Sequence, residues 1–226
     1  LPTCATMFEG DAWVQTDADI DALAPYCGVA GDLLITKHGL KNVDGLENLV
    51  VVDGMVHIGG GYWEEPEWSN DTDSPYGNPE LENLHGLIGL VVVNGDLLID
   101  NNAALAQMDG LASLRLVGGD LTLGEESWQD FFVPEGPYDN SNLSLESLEG
   151  LSSLQEVGGG VTLIQLNALG SLAGLEALRT IGAALQVTMV PLLEEVDGLE
   201  GLESIGGSLI VGASGLANID GLKNLE

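Results

Sequence analysis

The chain has 226 residues, 45% of them hydrophobic, and carries 36 acidic residues against 5 basic ones, for a formal charge of −31. So few Lys and Arg leave nothing to neutralise a phosphate backbone or an anionic headgroup layer, which argues against nucleic acid and membrane surfaces as partners. No apolar run approaches the ~18 residues that would span a bilayer, and the length suits one continuous core.

Residues 1–28 stand outside the pattern that follows and are expected to form an N-terminal cap. Thr16-Asp17-Ala18-Asp19 resembles a capping box with Asp in the place usually held by Glu or Gln, and Ile20 and Leu23 follow at helical spacing before Pro25. A short helix here would cover the open apolar end of the first coil. Cys4 and Cys27 bracket the segment and are the only cysteines. They are read as a disulfide pinning the cap, which implies an oxidising compartment; two buried thiols are the alternative. The chain starts at Leu1 rather than Met, as expected after removal of a targeting segment.

From residue 29 to 226 one unit recurs about seven times. Apolar residues repeat at steps of three and are followed by two more at plus four and plus six. Leu40, Val43, Leu46, Leu49 and Val52 lead to Val56 and Ile58; Leu169, Leu172, Leu175, Leu178 and Ile181 lead to Leu185 and Val187. A fixed period of about 24 residues predicts a solenoid, in which each unit buries its apolar edge only against its neighbours. The closing triplets, such as Leu97-Leu98-Ile99 and Leu121-Thr122-Leu123, alternate as strands and should stack into one parallel sheet. Gly54, Gly95, Gly119, Gly159 and Gly207 precede these strands and are expected at corners that need positive φ. The Gly-Leu pairs mark a second corner. The steps of three suit short extended or 3₁₀ sides, not long helices. The fold class is therefore mainly β, a leucine-rich parallel β-solenoid with a disulfide-pinned helical cap.

Gly-Leu pairs recur at spacings of 41, 24, 40, 24, 24 and 23 residues, so two units are lengthened. The added chain falls at about 59–80 and 124–144, in both cases just after a strand, and so leaves the same edge of the sheet. Tyr62, Trp63, Trp68 and Tyr76 lie in the first insert, and Trp128, Phe131, Phe132 and Tyr138 in the second. The other aromatics, Phe8, Trp13 and Tyr26, lie in the cap. Long loops on one edge of a rigid scaffold, rich in Tyr and Trp, suit a binding surface. The bland alternative is that each loop packs its aromatics inward as a core of its own. His57 and Thr122, outward residues of strands beside the inserts, complete the expected ligand-binding set. His57 is read as sheet surface.

The inserts are also acidic. Asp71 and Asp73, with Glu82, partly match a calcium loop, although Pro75 and Tyr76 depart from it. Solvated charge is the default, calcium the one ion considered, and no other metal or cofactor is expected. Asn70 and Asn142 begin glycosylation sequons in or beside the inserts. His38, His57 and His85 lack a Ser or Cys partner in sequence, and no nucleophile motif or phosphate loop is present, so no enzymatic activity is expected.

The bracketed N-terminal helix, then Gly31-Asp32-Leu33-Leu34-Ile35, then the Leu-x-x-apolar-Asp-Gly-Leu-x-x-Leu units, resemble the receptor L-domain of growth-factor and insulin receptor ectodomains and its bacterial and fungal cell-surface relatives. The resemblance covers roughly residues 4–226 and departs at the two inserts and in lacking a Cys-rich closing cap. It implies a right-handed solenoid with an extracellular, non-enzymatic binding or surface role, and the inserts with the adjoining sheet face make the expected function that of a secreted or cell-surface module that binds a protein, peptide or glycan. The alternative is a structural surface or filament subunit that self-associates through the last coil, whose seventh unit reaches Leu225 without a cap.

Overall fold

The computed structural model describes residues 4–36, 39–60, 77–124, 142, 144–212 and 215–225. Two eight-stranded parallel sheets run the length of these residues and face each other across a single core. The narrow sheet is built from two-residue strands, from Met7–Phe8 and Gly28–Val29 through Val51–Val52 to Ser204–Ile205. The broad sheet holds Ala12–Val14, Leu33–Ile35, Val56–Ile58, Leu97–Ile99, Leu121–Leu123, Val161–Ile164, Leu185–Thr188 and Leu209–Gly212. Every strand pairs in parallel with the equivalent strand one coil away, and the seven apolar positions of each of the first five units lie in the core. The solenoid predicted from the spacing is thus the fold.

The sequence reading found one sheet; there are two. The narrow sheet arises where the fifth apolar residue of each run, such as Val52, Val93 or Val117, is held beside the same residue of the next coil. Two residues are too short to show alternation, so no pattern in a single unit announces such a strand.

The cap holds the predicted helix, Asp17–Leu23, with Thr16 as N-cap and Asp19 completing the capping box. Ile20 and Leu23 are buried in the solenoid core, and Cys4 and Cys27 form a disulfide. The segment does more than cover an end, because it supplies the first strand of each sheet. Gly10-Asp11-Ala12-Trp13-Val14 copies Gly31-Asp32-Leu33-Leu34-Ile35 in register, with Ala12 and Val14 inward and Trp13 outward.

The corner glycines divide into two kinds. Gly54, Gly95, Gly119, Gly159 and Gly207 are not among the residues with positive φ, contrary to expectation. They are glycine because the corners stack backbone on backbone: a Cβ on Gly95 would lie 2.7 Å from the carbonyl of Gly54. At the Gly-Leu corners the next residue decides the geometry. Gly45, Gly174 and Gly198 take positive φ, and each donates its N–H to the carboxylate two residues on, Glu47, Glu176 or Glu200, at 2.9 Å. Where that Glu is absent, the corner closes as a 3₁₀ turn, as at His85–Leu87, Asp109–Leu111, Glu149–Leu151 and Asp220–Leu222.

Candidate functional site

Both inserts leave the broad sheet at its C-terminal edge. Ile58 and Leu123 are each register-paired with Ile99, so the two departure points are two coils apart, about 10 Å at the spacing of parallel strands. The first insert departs through Gly59 and Gly60 and returns through Gly77 and Asn78; the second departs through Gly124 and returns at Asn142. All six of these residues are buried. Gly59, Gly77 and Gly124 take φ of 155°, 92° and 89° and sit against backbone or carboxyl atoms of the adjoining coil, which leaves no room for a side chain. The feet of the inserts are therefore fixed parts of the scaffold.

A buried polar column runs beneath these feet. Asn78, Asn102 and Asn142 occupy the same position in successive coils, and each is fully buried. Each side chain donates to the carbonyl that ends the strand one coil back: Asn78 to Ile35 at 2.8 Å, Asn102 to Ile58 at 2.9 Å and Asn142 to Ile99 at 2.7 Å. The column is also linked along its length. Asn78 Nδ2 donates to Asn102 Oδ1 at 3.0 Å, and the Asn102 N–H donates to Asn142 Oδ1 at 3.1 Å. Beside it, Asp100 accepts from the Gly60 N–H at 3.1 Å, from Asn101 Nδ2 at 3.2 Å and from His57 Nε2 at 3.2 Å.

This network changes the role expected for His57. Its side chain points away from the core, in register between Leu34 and Leu98, yet it is only 2% exposed, and the neighbouring Leu34 is 6% exposed. His57 is a buried partner of a carboxyl group, not open sheet surface. A carboxylate can only accept, so Nε2 donates to Asp100, and Nδ1 has no hydrogen-bond partner among the described residues. Thr122 sits further along the same outward row, half-buried between Leu98 and Thr162. The row opens to solvent at its two ends, where Trp13 and Ile210 are each 46% exposed.

Asn142 begins one of the two glycosylation sequons. It is 0% exposed with its amide nitrogen committed to Ile99, so the folded chain presents no nitrogen there for a glycan. Tyr62, Trp63, Trp68, Tyr76, Trp128, Phe131 and Tyr138 lie outside the described residues, as do Asn70, Asp71, Asp73 and His38. Glu82 is exposed, and no cluster of three or more His, Cys, Asp or Glu suited to a metal ion occurs among the described residues. His85 lies on the surface 3.2 Å from Asp109 one coil away.

Asp100, Asn101, Asn102 and Asn78 were missed in sequence, although a signal existed. Asn recurs at 78, 102 and 142, repeating the 24- and 40-residue spacings of the Gly-Leu pairs. No helix among the described residues is long and apolar enough to cross a membrane. Comparison of the chain with protein-family models, with curated proteins and with solved structures returned no match in any of the three.

Proposed function

We propose that this protein is an extracellular recognition module that binds a protein, peptide or glycan through its two aromatic, acidic inserts. The observation that carries this is the pair of buried feet: both inserts spring from one edge of a rigid parallel scaffold, two coils apart. The insert sequences hold eight of the aromatics, Trp63, Trp68 and Trp128 among them, and Trp brings the most contact area per side chain. The Cys4–Cys27 disulfide accords with an oxidising, extracellular setting. Wild-type protein and a Trp63→Ser/Trp68→Ser/Trp128→Ser variant, applied to the same glycan and peptide arrays, provide the test. The reading expects the variant to lose the wild-type binding pattern while its circular dichroism is unchanged. Retention of the full pattern would move the site off the inserts.

Self-assembly is the second reading. In the last described coil Leu209, Ile210 and Ile219 are 40%, 46% and 57% exposed, and a second copy stacked there would bury them. Such stacking has to overcome the repulsion between chains of charge −31, so it would strengthen with added salt in a light-scattering mass measurement.

A further inference from the structure

The same coil position is polar in one half of the solenoid and apolar in the other. Asn78, Asn102 and Asn142 fill it where the inserts leave and return, whereas Leu166 and Val190 fill it in the next two coils, equally buried. The scaffold therefore closes this position with a simple hydrocarbon. A buried amide is costly unless fully hydrogen-bonded, and its gain is directional: it fixes which groups sit opposite. The position one residue earlier differs in burial: Asn101 is buried, and Gln165 is half-buried. Asn101, Gln165 and Met189 all take the left-handed conformation, at φ of 53°, 55° and 56°. The backbone shape thus does not require Asn at 101. What distinguishes Asn101 is its side chain, which donates to the Gly60 carbonyl at 2.8 Å. One residue earlier again, Asp100 stands where the later coils have Ile164 and Thr188, and it stands there opposite Gly59 and Gly60.

We infer that Asp100, Asn101 and Asn102 form a clamp that positions both inserts, and so are positioning residues for the binding surface proposed above, on which this inference rests. The departing foot of the first insert is held by two bonds, Gly60 N–H to Asp100 Oδ1 and Asn101 Nδ2 to the Gly60 carbonyl. Its returning foot is held by two more: the Asn78 N–H donates to the Asn101 carbonyl at 3.1 Å, and Asn78 Nδ2 donates to Asn102 Oδ1 at 3.0 Å. The returning foot of the second insert is held through Asn142 Oδ1, which accepts the Asn102 N–H. His57 steadies the Asp100 carboxyl group from the sheet side at 3.2 Å. Asn102 thereby touches the return of both inserts, so a shift of one foot is felt at the other. The clamp fixes the spacing of these feet before any ligand arrives, and preorganisation of this kind lowers the ordering cost of binding.

Hydrogen exchange and limited proteolysis on the full chain test this without a ligand, so the clamp and the recognition reading fail separately. The protease is one that cuts after Glu, since Glu64, Glu65 and Glu67 lie in the first insert and Glu125, Glu126 and Glu135 in the second. Asn102→Leu installs the residue the scaffold itself uses at 166. The clamp expects cleavage in both inserts to speed up roughly tenfold, the factor that one lost buried hydrogen bond gives. Exchange at Gly60 and Asn78 should rise with it, while the Leu185 amide, bonded to Ser208, keeps its protection. Asn101→Gly is the second variant, because Gly keeps the left-handed backbone and removes the side-chain bonds to Gly60 and Asp100. It should loosen the first insert by a similar factor and spare the second. Unchanged cleavage in both variants overturns the clamp. So does a rise matched by equal loss of protection at Leu185, which would mark the column as ordinary core. Should Asn102→Leu fail to fold, Asn101→Gly decides alone by the same criteria.

Discussion

The coils that carry the inserts and the coils that follow them share one apolar spacing and differ in how they close the corner after the broad strand. Between the two insert-bearing coils the corner is Asp100-Asn101-Asn102, with Asn78 and Asn142 in the insert-bearing coils on either side; in the coils that follow it is Ile164-Gln165-Leu166 and Thr188-Met189-Val190. Leucine suffices where the chain simply turns. Buried amides and a buried carboxyl group appear where the chain must leave the scaffold and return to a set place. Burying them stabilises little beyond what leucine would, since the net gain of a buried hydrogen bond is about 1 kcal/mol and desolvation opposes it. Their contribution is geometric.

Breaking the insert-free half should have the largest effect. Leu175 is 1% exposed with coils stacked on both sides, so Leu175→Ala should cost about 2–5 kcal/mol through the cavity it leaves. Denaturant unfolding measures it, and a loss under about 0.5 kcal/mol would mean that the core there is not close-packed. Reducing the Cys4–Cys27 bond, which closes a loop across 23 positions, should lower stability by about 3 kcal/mol. Melting with and without reductant checks this.

Exchanging the two corner types sharpens the comparison. Val190→Asn places an amide where the preceding coil offers Leu166 and no ladder partner, so it should cost about 1–3 kcal/mol. Asn102→Leu should cost less in global stability, because it exchanges an amide for the hydrocarbon the scaffold uses elsewhere. Equal costs in chemical denaturation would show that the two halves do not differ in the way described. The smallest effect belongs to Glu47. The Gly45 N–H, and next the residue's own backbone N–H, hold its carboxyl below the usual range. A carboxyl with a lowered folded pKa stabilises above its unfolded pKa, and the gain disappears as pH falls through the folded value. Glu47→Gln should therefore lose slightly at neutral pH and nothing in acid. The group is almost fully exposed, so solvent screening keeps the difference small; pH-dependent melting curves of the two proteins would show it.

The solenoid was legible in sequence because its signal is additive: Leu87, Leu111, Leu151 and Leu175 mean little singly and fix a period together. The helix was legible for a local reason, the Thr16–Asp19 capping box. The narrow sheet was not, since Val51–Val52 becomes a strand only when Val92–Val93 lies beside it. The burial of His57 was misread for a related reason. Alternation gives the direction of a side chain, while its exposure depends on what lies over that face and on Asp100, 43 residues away in sequence. The insert feet were located to within a few residues by the Gly-Leu spacing, but the network holding them joins groups about 24 and 40 residues apart, and no local pattern encodes such a bond.

Deleting residues 61–77 tests the central claim most directly. It joins Gly60 to Asn78 and gives the first lengthened coil the same number of residues between strand and corner as the Leu97–Leu105 stretch. Wild type and deletion would be run on the same glycan and peptide arrays, with thermal melting as the fold control. The account predicts a deletion protein that melts cooperatively near the wild-type temperature and has lost the wild-type binding pattern. A deletion protein that fails to fold, or one that folds and keeps that pattern, would contradict it.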